Sequence, residues 1–432
     1  MPSTRFDDKI TNSLGTIPPG KIAIAVSGGS DSVALMHLAS IWARGAGVQL
    51  VILSVDHNLR AGSKDEIRYI AKLARDLGHE FYPLSWDCGG SKVALQERAR
   101  QGRYDLMTSK CHDLGIDILL TAHHMDDMFE TYLMRKSKKS SILGLSSTDE
   151  FFHNNIRILR PLSGCSKAEL VHYLEQNNIG WLEDESNRSD AYERNRIRKQ
   201  LALYTRPEKL ELAQEIAGVN NQASVLNERL IIAMAELLSI NEYGFAMIDL
   251  AGLKKERCDI QIPILNYILT VISGKTATPR FRSIRKLLAK LAHNEKIDSS
   301  LHGCILKETS KGLLIYREYS AIDKIKMPVD FAKNNYWDGR FEIISPQSCD
   351  GYYIDCLKFS DYIELKDKIN LKNLAKISDN NHKSILFTLS AIRRLEKIVA
   401  IPNISYYDSS GLEISFEVIF RPSFISRFTH FL

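Results

Sequence analysis

At 432 residues, with 44% hydrophobic and 25% charged side chains, the chain has room for about two to four domains with ordinary globular cores. Nine per cent aromatic residues, 24 Gly and 12 Pro exclude collagen-like and wholly disordered classes, and no stretch approaches the ~18 uninterrupted apolar residues of a spanning helix. The net charge of +5, from 57 Lys and Arg against 52 Asp and Glu, is too small to name a polyanionic partner, so local clusters must carry that argument. The opening segment holds Arg5, Asp7, Asp8 and Lys9 with no apolar run behind them, unlike a secretory signal, and a cytoplasmic protein is expected. Seven scattered cysteines, none spaced C-x-x-C, argue against a disulfide framework, a zinc ribbon or an iron–sulfur site.

Over the first ~200 residues, short β-branched runs alternate with amphipathic stretches, the pattern of βαβ units building a doubly wound parallel sheet. Strands are predicted at Ile22 to Val26, Leu50 to Val55, Phe81 to Trp86, Asp117 to Ala122 and Ile156 to Leu162. A helix is predicted over Asp65 to Leu77, with a Ser63/Glu66 capping box, and another after Ser166, where Glu169 completes a second box. Beyond Arg206-Pro207 the pattern shifts to long helical stretches, Leu210 to Leu238 and Ile260 to Ile272, followed by short strands near Ile305 to Tyr316. From about residue 331 it is mixed, with strand-like runs at Phe341 to Ile344, Tyr352 to Asp355, Lys397 to Ile401 and Leu412 to Phe420. The expected α/β organisation is a catalytic domain over 1–206, a mostly helical domain over 207–330 and a small α+β domain over 331–432.

The first predicted strand runs into Ser27-Gly28-Gly29-Ser30-Asp31-Ser32 and then an apolar helix. Two glycines let the backbone bend so that successive N–H groups and the helix N-terminus face an anion, with serine hydroxyls as further donors. The loop lacks the lysine of a Walker A motif, and Gly274-Lys275-Thr276 lacks its first glycine, so a P-loop NTPase is excluded. Asp56-His57-Asn58-Leu59-Arg60 follows the second strand, at the carboxyl edge where open α/β sheets bind ligands. Arg100 and Tyr104 lie one helical turn apart, and Asp126, Asp127 and Glu130 gather acidic charge in a first turn, where capping is the ordinary role. His123, Asp127 and Glu130 also share one helical face, suited to Mg²⁺ and to an ammonium group.

Ser27 to Ser32, in its strand–loop–helix context, resembles the SGGxDS loop of the PP-loop ATP pyrophosphatases, which cleave ATP between its α and β phosphates. Asp56 to Arg60 resembles the VDHxLR element of one branch, the tRNA(Ile)-lysidine synthetases. Leu95 to Tyr104 is similar to that branch's E-x-x-AR-x-x-RY helix, and Thr121 to Thr131 to its AHHxDDQxET run, with Met128 where Gln is usual. Arg160-Pro161-Leu162 and Trp181 to Asn187 with Glu193 to Arg198 are similar to its RPL and EDxSN…RNxIR elements. One departure is Arg135 to Leu145, which lacks the first glycines of the family's RGxG loop and puts the contacts of that loop in doubt.

The resemblance implies ATP-dependent ligation of free lysine onto C2 of the wobble cytidine of a tRNA(Ile) with a CAU anticodon, through an adenylated cytidine, releasing pyrophosphate and then AMP. It implies that Ser27, Gly28, Gly29, Ser30, Asp31, Ser32, Asp56 and His57 bind ATP, and that Asp31 and Asp127 hold Mg²⁺. Arg60, Arg100, Tyr104, His123, Glu130 and Arg194 are expected on the lysine and cytidine side, Glu130 taking the lysine α-ammonium. Arg198, ahead of Arg194, is expected to stabilise phosphate charge. A homodimer is suggested by the resemblance alone. A tRNA thiolase would bring C-x-x-C pairs and an amidotransferase a nucleophilic cysteine elbow, and neither is present. A non-catalytic RNA-binding protein would not need the intact loop and acidic cluster. The resemblance implies that the 207–330 and 331–432 domains both bind the tRNA; for such contacts Lys275 to Lys290 holds six basic residues and no acidic one, and Arg135 to Lys139 is a second basic cluster.

Overall fold

Ile22, Ala23 and Ile24 are buried on both faces of the central strand, as a continuous apolar run in a covered parallel sheet must be. In the computed structural model this strand, Lys21–Ala25 (β1), pairs in parallel with Gln49–Asp56 (β2) and Ile118–Leu120 (β4). Glu80–Ser85 (β3) extends the sheet beyond β2, and Ile156–Leu159 (β6) beyond β4, again in parallel. Glu150–His153 (β5) closes the edge antiparallel to β6, giving the order β3-β2-β1-β4-β6-β5. Apart from Thr11 and Leu14, the structure describes residues 20–56, 63–86, 95–183, 193–329, 335–344, 351–408 and 416–422.

The five strands expected in this region are present, and β5 is an addition. It joins β6 through Asn154-Asn155, both at positive φ (48° and 62°), a two-residue hairpin built without glycine. Helices cover both faces. Ile22, Ile24, Leu50 and Ile52 pack in one core with Val33, Leu35 and Leu38 of Ser30–Ala46 (α1) and Ile70 of Ser63–Asp76 (α2). The alternate residues Ala23, Val51 and Leu53 pack in another with Tyr104, Met107 and Cys111 of Leu95–Asp113 (α3). The period-2 alternation thus delivers one set of side chains to each helical layer. Winding runs outward from β1 to β3 and resumes at β4 on the other flank, which opens a crevice at the carboxyl ends of β1 and β4.

Met125–Ser137 (α4) leaves β4 and is followed by the departing loop and by Ile142–Leu145 (α5). Without the family's glycines, Lys139 itself adopts the left-handed conformation, at φ 53° and a cost of about 1 kcal/mol. Lys167–Gln176 (α6) starts at the expected Ser166 box, in which Ser166 Oγ accepts the Glu169 N–H at 3.2 Å and Glu169 accepts the Ser166 N–H at 2.8 Å. Glu193–Ala202 (α7) and Arg206–Leu237 (α8) complete the helical order, and Leu201, Leu212 and Ile216 bury Phe129 and Tyr132 of α4.

The chain divides into two compact units, residues 1–225 and 226–432. In the second, Cys258–Ser273 (α10) and Phe281–Ala292 (α11) follow the short helix Leu250–Lys255 (α9). A five-stranded antiparallel sheet accompanies these helices, of which only the Ile305 to Tyr316 part was predicted. Two further sheets, of five and three strands, contain the expected strands near 341, 352 and 397; residues 412–415 of the fourth expected run lie outside the described residues. Asp338, buried, accepts from both Arg317 (2.8 Å) and Arg340 (2.6 Å), and Arg340 Nη2 donates to Thr388 O at 2.8 Å, so two guanidiniums share one carboxylate in this core.

Candidate active site at the switch point of the parallel sheet

The turn from β1 into α1 is held by its own side chains. Ser32 Oγ donates to Gly29 O at 3.0 Å and accepts the Ser27 N–H at 3.2 Å. Gly28 sits at φ +87°, its carbonyl accepts the Leu182 N–H at 2.9 Å, and a Cβ there would lie 2.9 Å from Leu182 Cδ1. No side chain caps the first turn of α1, whose N–H groups and dipole therefore favour an anion.

Opposite the loop, His124 is buried at the start of α4 and three carboxylates surround it. Its Nε2 is 3.5 Å from both Asp31 Oδ2 and Asp127 Oδ2, and its Nδ1 is 3.6 Å from Asp126 Oδ2. Burial opposes the imidazolium, but Asp31, Asp127 and Asp126 outweigh it and raise the pKa. Burial would likewise raise the Asp31 carboxyl, yet His124 and the Lys167 ammonium, 3.3 Å away, bring it down to about 2. Asp126 also accepts the Lys167 N–H at 2.7 Å, tying the N-terminus of α6 to that of α4, so its role is structural.

A cavity of about 760 Å³ opens between these elements. Ser27, Gly29, Ser30, Asp31, Ser32 and Asp56 line it, as do Arg100, Tyr104, His123, Asp127 and Arg194. The expected residues His57 and Arg60 lie outside the described residues. Arg103, Lys167 and Glu66 also line the cavity. Lys167 and His124 were not singled out from the sequence. The signals for them were modest: the second histidine of Ala-His-His, and a lysine at the first position of a capped helix.

Glu130 is placed away from the cavity lining. It is 1% exposed and accepts Arg194 Nε at 2.6 Å and Arg198 Nε at 2.7 Å. Both oxygens are engaged by these two guanidiniums. Arg194 lines the cavity and reaches Asp127 Oδ1 at 2.7 Å, whereas Arg198 stays on Glu130 behind it.

Arg100 and Arg103 flank Tyr104, 5.4 and 5.9 Å from its ring centre. Burial, then Arg160, Arg100, Arg103 and Arg194, hold His123 well below the ordinary imidazole value. These causes favour its uncharged form. Thr121 Oγ1 donates to Leu159 O at 3.3 Å and so accepts from His123 Nδ1 at 3.1 Å, which leaves Nε2 as the acceptor nitrogen. The cavity thus has a cationic side at Arg100 and Arg103 and an acidic side at Asp31 and Asp127.

Two carboxylates converging on one imidazole edge, beside an anion cradle, fit a Mg²⁺ ion bound as it usually is, by one or two carboxylates and the phosphates it escorts. Among the described residues no group of three or more His, Cys, Asp or Glu is arranged to hold a metal ion.

The loop, the crevice and the parallel strand order define a PP-loop fold, and the family model of the PP-loop domain matches residues 2–204. The tRNA(Ile)-lysidine synthase of Rickettsia bellii (strain RML369-C) is 45% identical, covering 99% of each chain, and that of Rickettsia typhi 44% identical with the same coverage. Among solved structures, a U34-tRNA thiolase from Methanococcus maripaludis aligns over 51% of this chain and 78% of its own, with a TM-score of 0.44 and 17% identity. The chain belongs to the tRNA(Ile)-lysidine synthase family.

Proposed function

We propose that the protein ligates free lysine to C2 of the wobble cytidine in a tRNA(Ile) bearing CAU, using ATP and releasing pyrophosphate and AMP. The observation that carries this reading is that one cavity is lined by the cradle residues Ser27, Gly29, Ser30, Asp31 and Ser32 and by Asp127, with His124 beside both Asp31 and Asp127, in a chain matching such enzymes along its whole length. In the first half-reaction cytidine O2 attacks the α-phosphorus and pyrophosphate leaves. The α1 N-terminus, the serine hydroxyls and Lys167 receive its charge, with Arg194 at the edge of the same cavity. Asp31 and Asp127 would hold Mg²⁺, which when bound neutralises phosphate oxygens. In the second half-reaction the deprotonated lysine amine attacks C2 and AMP departs. His123 Nε2 is an acceptor for an N–H there, while Arg100 and Arg103 attract an anionic group of the substrates.

A cytoplasmic setting agrees with the absence, among the described residues, of a helix long and apolar enough to cross a membrane. The test is incubation of purified protein with Mg-ATP, labelled lysine and unmodified tRNA(Ile), read by nucleoside mass spectrometry, with tRNA(Met) as control. Lysidine on tRNA(Ile) alone is expected. AMP and pyrophosphate without lysine incorporation would overturn the substrate assignment and leave the ATP chemistry standing.

A further inference from the structure

Gly102 lies in the interior of α3, where glycine is the least favoured residue short of proline, so the reason for the missing side chain has to come from packing. Trp86 supplies it. A Cβ at position 102 would lie 1.9 Å from Trp86 Nε1, 2.5 Å from its Cδ1 and 2.8 Å from its Cε2, so the rigid indole edge fills the notch that the glycine leaves. Trp86 directly follows β3, and its N–H donates to the Asp56 carbonyl at 2.9 Å, which fastens it to the carboxyl end of β2. Asp56 lines the catalytic cavity, as do Arg100, Arg103 and Tyr104, which stand two residues before the notch and one and two residues after it. Trp86 and Gly102 themselves do not line it. The indole therefore sits behind the cavity, joined through its backbone to the nucleotide side and through its ring to the cationic side.

The rest of α3 is held by another element. His153 Nε2 lies 2.7 Å from Asp105 Oδ1, Asn154 Nδ2 donates to Thr108 Oγ1 at 3.1 Å, and Phe151 meets the Tyr104 ring edge-on with centres 5.7 Å apart, so the β5–β6 hairpin fixes the helix from Tyr104 onward. Upstream of that point the indole abuts the helix backbone itself. We propose that Trp86, seated against Gly102, is a positioning residue that sets Arg100, Arg103 and Tyr104 at a fixed distance from Asp56 and the nucleotide side of the cavity, a role that rests on the proposed lysine ligation for the identity of the substrates. A ring packed on bare backbone leaves the helix no slack toward β3, and a misplacement of about 1 Å in a substrate-positioning wall costs on the order of 10²-fold in rate. Trp86 makes no contact with the reacting groups in this role; it acts through the helix that carries them.

A double-mutant cycle over Trp86→Ala and Gly102→Ala, with Trp86→Phe as the conservative variant, tests the role. The readouts are kcat/KM for lysine, affinity for a non-hydrolysable ATP analogue, melting temperature and amide hydrogen exchange. Gly102→Ala is expected to lower kcat/KM for lysine about tenfold when Trp86 is present, and by less than about twofold once Trp86→Ala has emptied the notch. Trp86→Ala alone should cost about tenfold and Trp86→Phe much less, with ATP affinity within about twofold of wild type throughout. In Trp86→Ala the amides of 98–104 should exchange about tenfold faster while those of 106–113, held by the hairpin, keep their protection. Equal effects of Gly102→Ala with and without Trp86 would overturn the proposal. So would a joint fall of ATP affinity, kcat/KM for lysine and melting temperature, the mark of a merely structural seat. If the wild type makes no lysidine, the proposed reaction fails, while the exchange of 98–104 still decides whether Trp86 holds this wall in place.

Discussion

Lys167 Nζ lies 3.3 Å from Asp31 Oδ2, which brings a cation on the first turn of one helix to a carboxylate on the first turn of another. The glycine loop has no lysine of its own, so Lys167 is the amine that can follow phosphate charge in this cavity. Lys167→Met is expected to slow pyrophosphate release about 10²- to 10³-fold, the usual consequence of losing one charge-stabilising donor. Lys167→Arg should recover part of the rate. Equal pyrophosphate rates in wild type and the Met variant would remove Lys167 from the chemistry.

The same cluster makes stability depend on acid. Asp31 titrates at about 2 in the fold against an ordinary value of 3.8, so it contributes stability that is fully present above about pH 4. That contribution, on the order of 2 kcal/mol, is lost as pH falls from about 4 through about 2. Urea midpoints of wild type and Asp31→Asn should therefore converge over this interval, after an offset that is constant at higher pH. Parallel curves down to pH 2 would mean that the carboxyl is not held ionised by His124 and Lys167.

Glu130 separates two accounts of the acidic helix. As the shared anchor of Arg194 and Arg198 it is buried, while the guanidinium side chains are 39% and 36% exposed. Glu130→Gln is expected to cost about 2–3 kcal/mol, somewhat under the 3–5 typical of a fully buried broken pair. It should lower kcat by releasing Arg194 and leave KM for lysine nearly unchanged. If Glu130 is instead the ammonium ligand, KM for lysine rises selectively with little loss of stability. Chemical denaturation and lysine-dependent kinetics on one preparation decide between them.

The cradle was legible in the sequence because its function is local. Ser27 to Ser32, the strand before it and the helix after it are contiguous, and Gly28 and Gly29 mark the bend directly. Asp31 and Asp127 were legible for a similar reason, each in the first turn of a predicted helix. What periodicity does not register is long-range. Helical spacing put Glu130 on the face of His123 and Asp127, but only the fold shows that Arg194 and Arg198, 64 and 68 residues on, occupy both its oxygens. Lys167 belongs to the site only because Asp126 accepts its backbone N–H, a bond across 41 residues that periodicity does not register. The edge strand β5 was missed because Asn154-Asn155 makes its turn without the glycine that usually signals one.

Gly28 gives the sharpest test of the cradle, because two independent constraints fall on one position. At φ +87° any L side chain is strained, on the order of 1–3 kcal/mol. An alanine Cβ would also sit 2.9 Å from Leu182 Cδ1, on the chain segment whose N–H is bonded to the Gly28 carbonyl. Gly28→Ala is therefore expected to raise KM for ATP about tenfold or more and to lower the unfolding midpoint, with lysine and tRNA binding little affected. Adding Leu182→Ala relieves the contact but not the dihedral. The double variant should thus recover only part of the ATP affinity, as read by isothermal titration with a non-hydrolysable ATP analogue. Full recovery would show that side-chain contact alone sets the requirement for glycine, and no recovery would assign it entirely to the backbone.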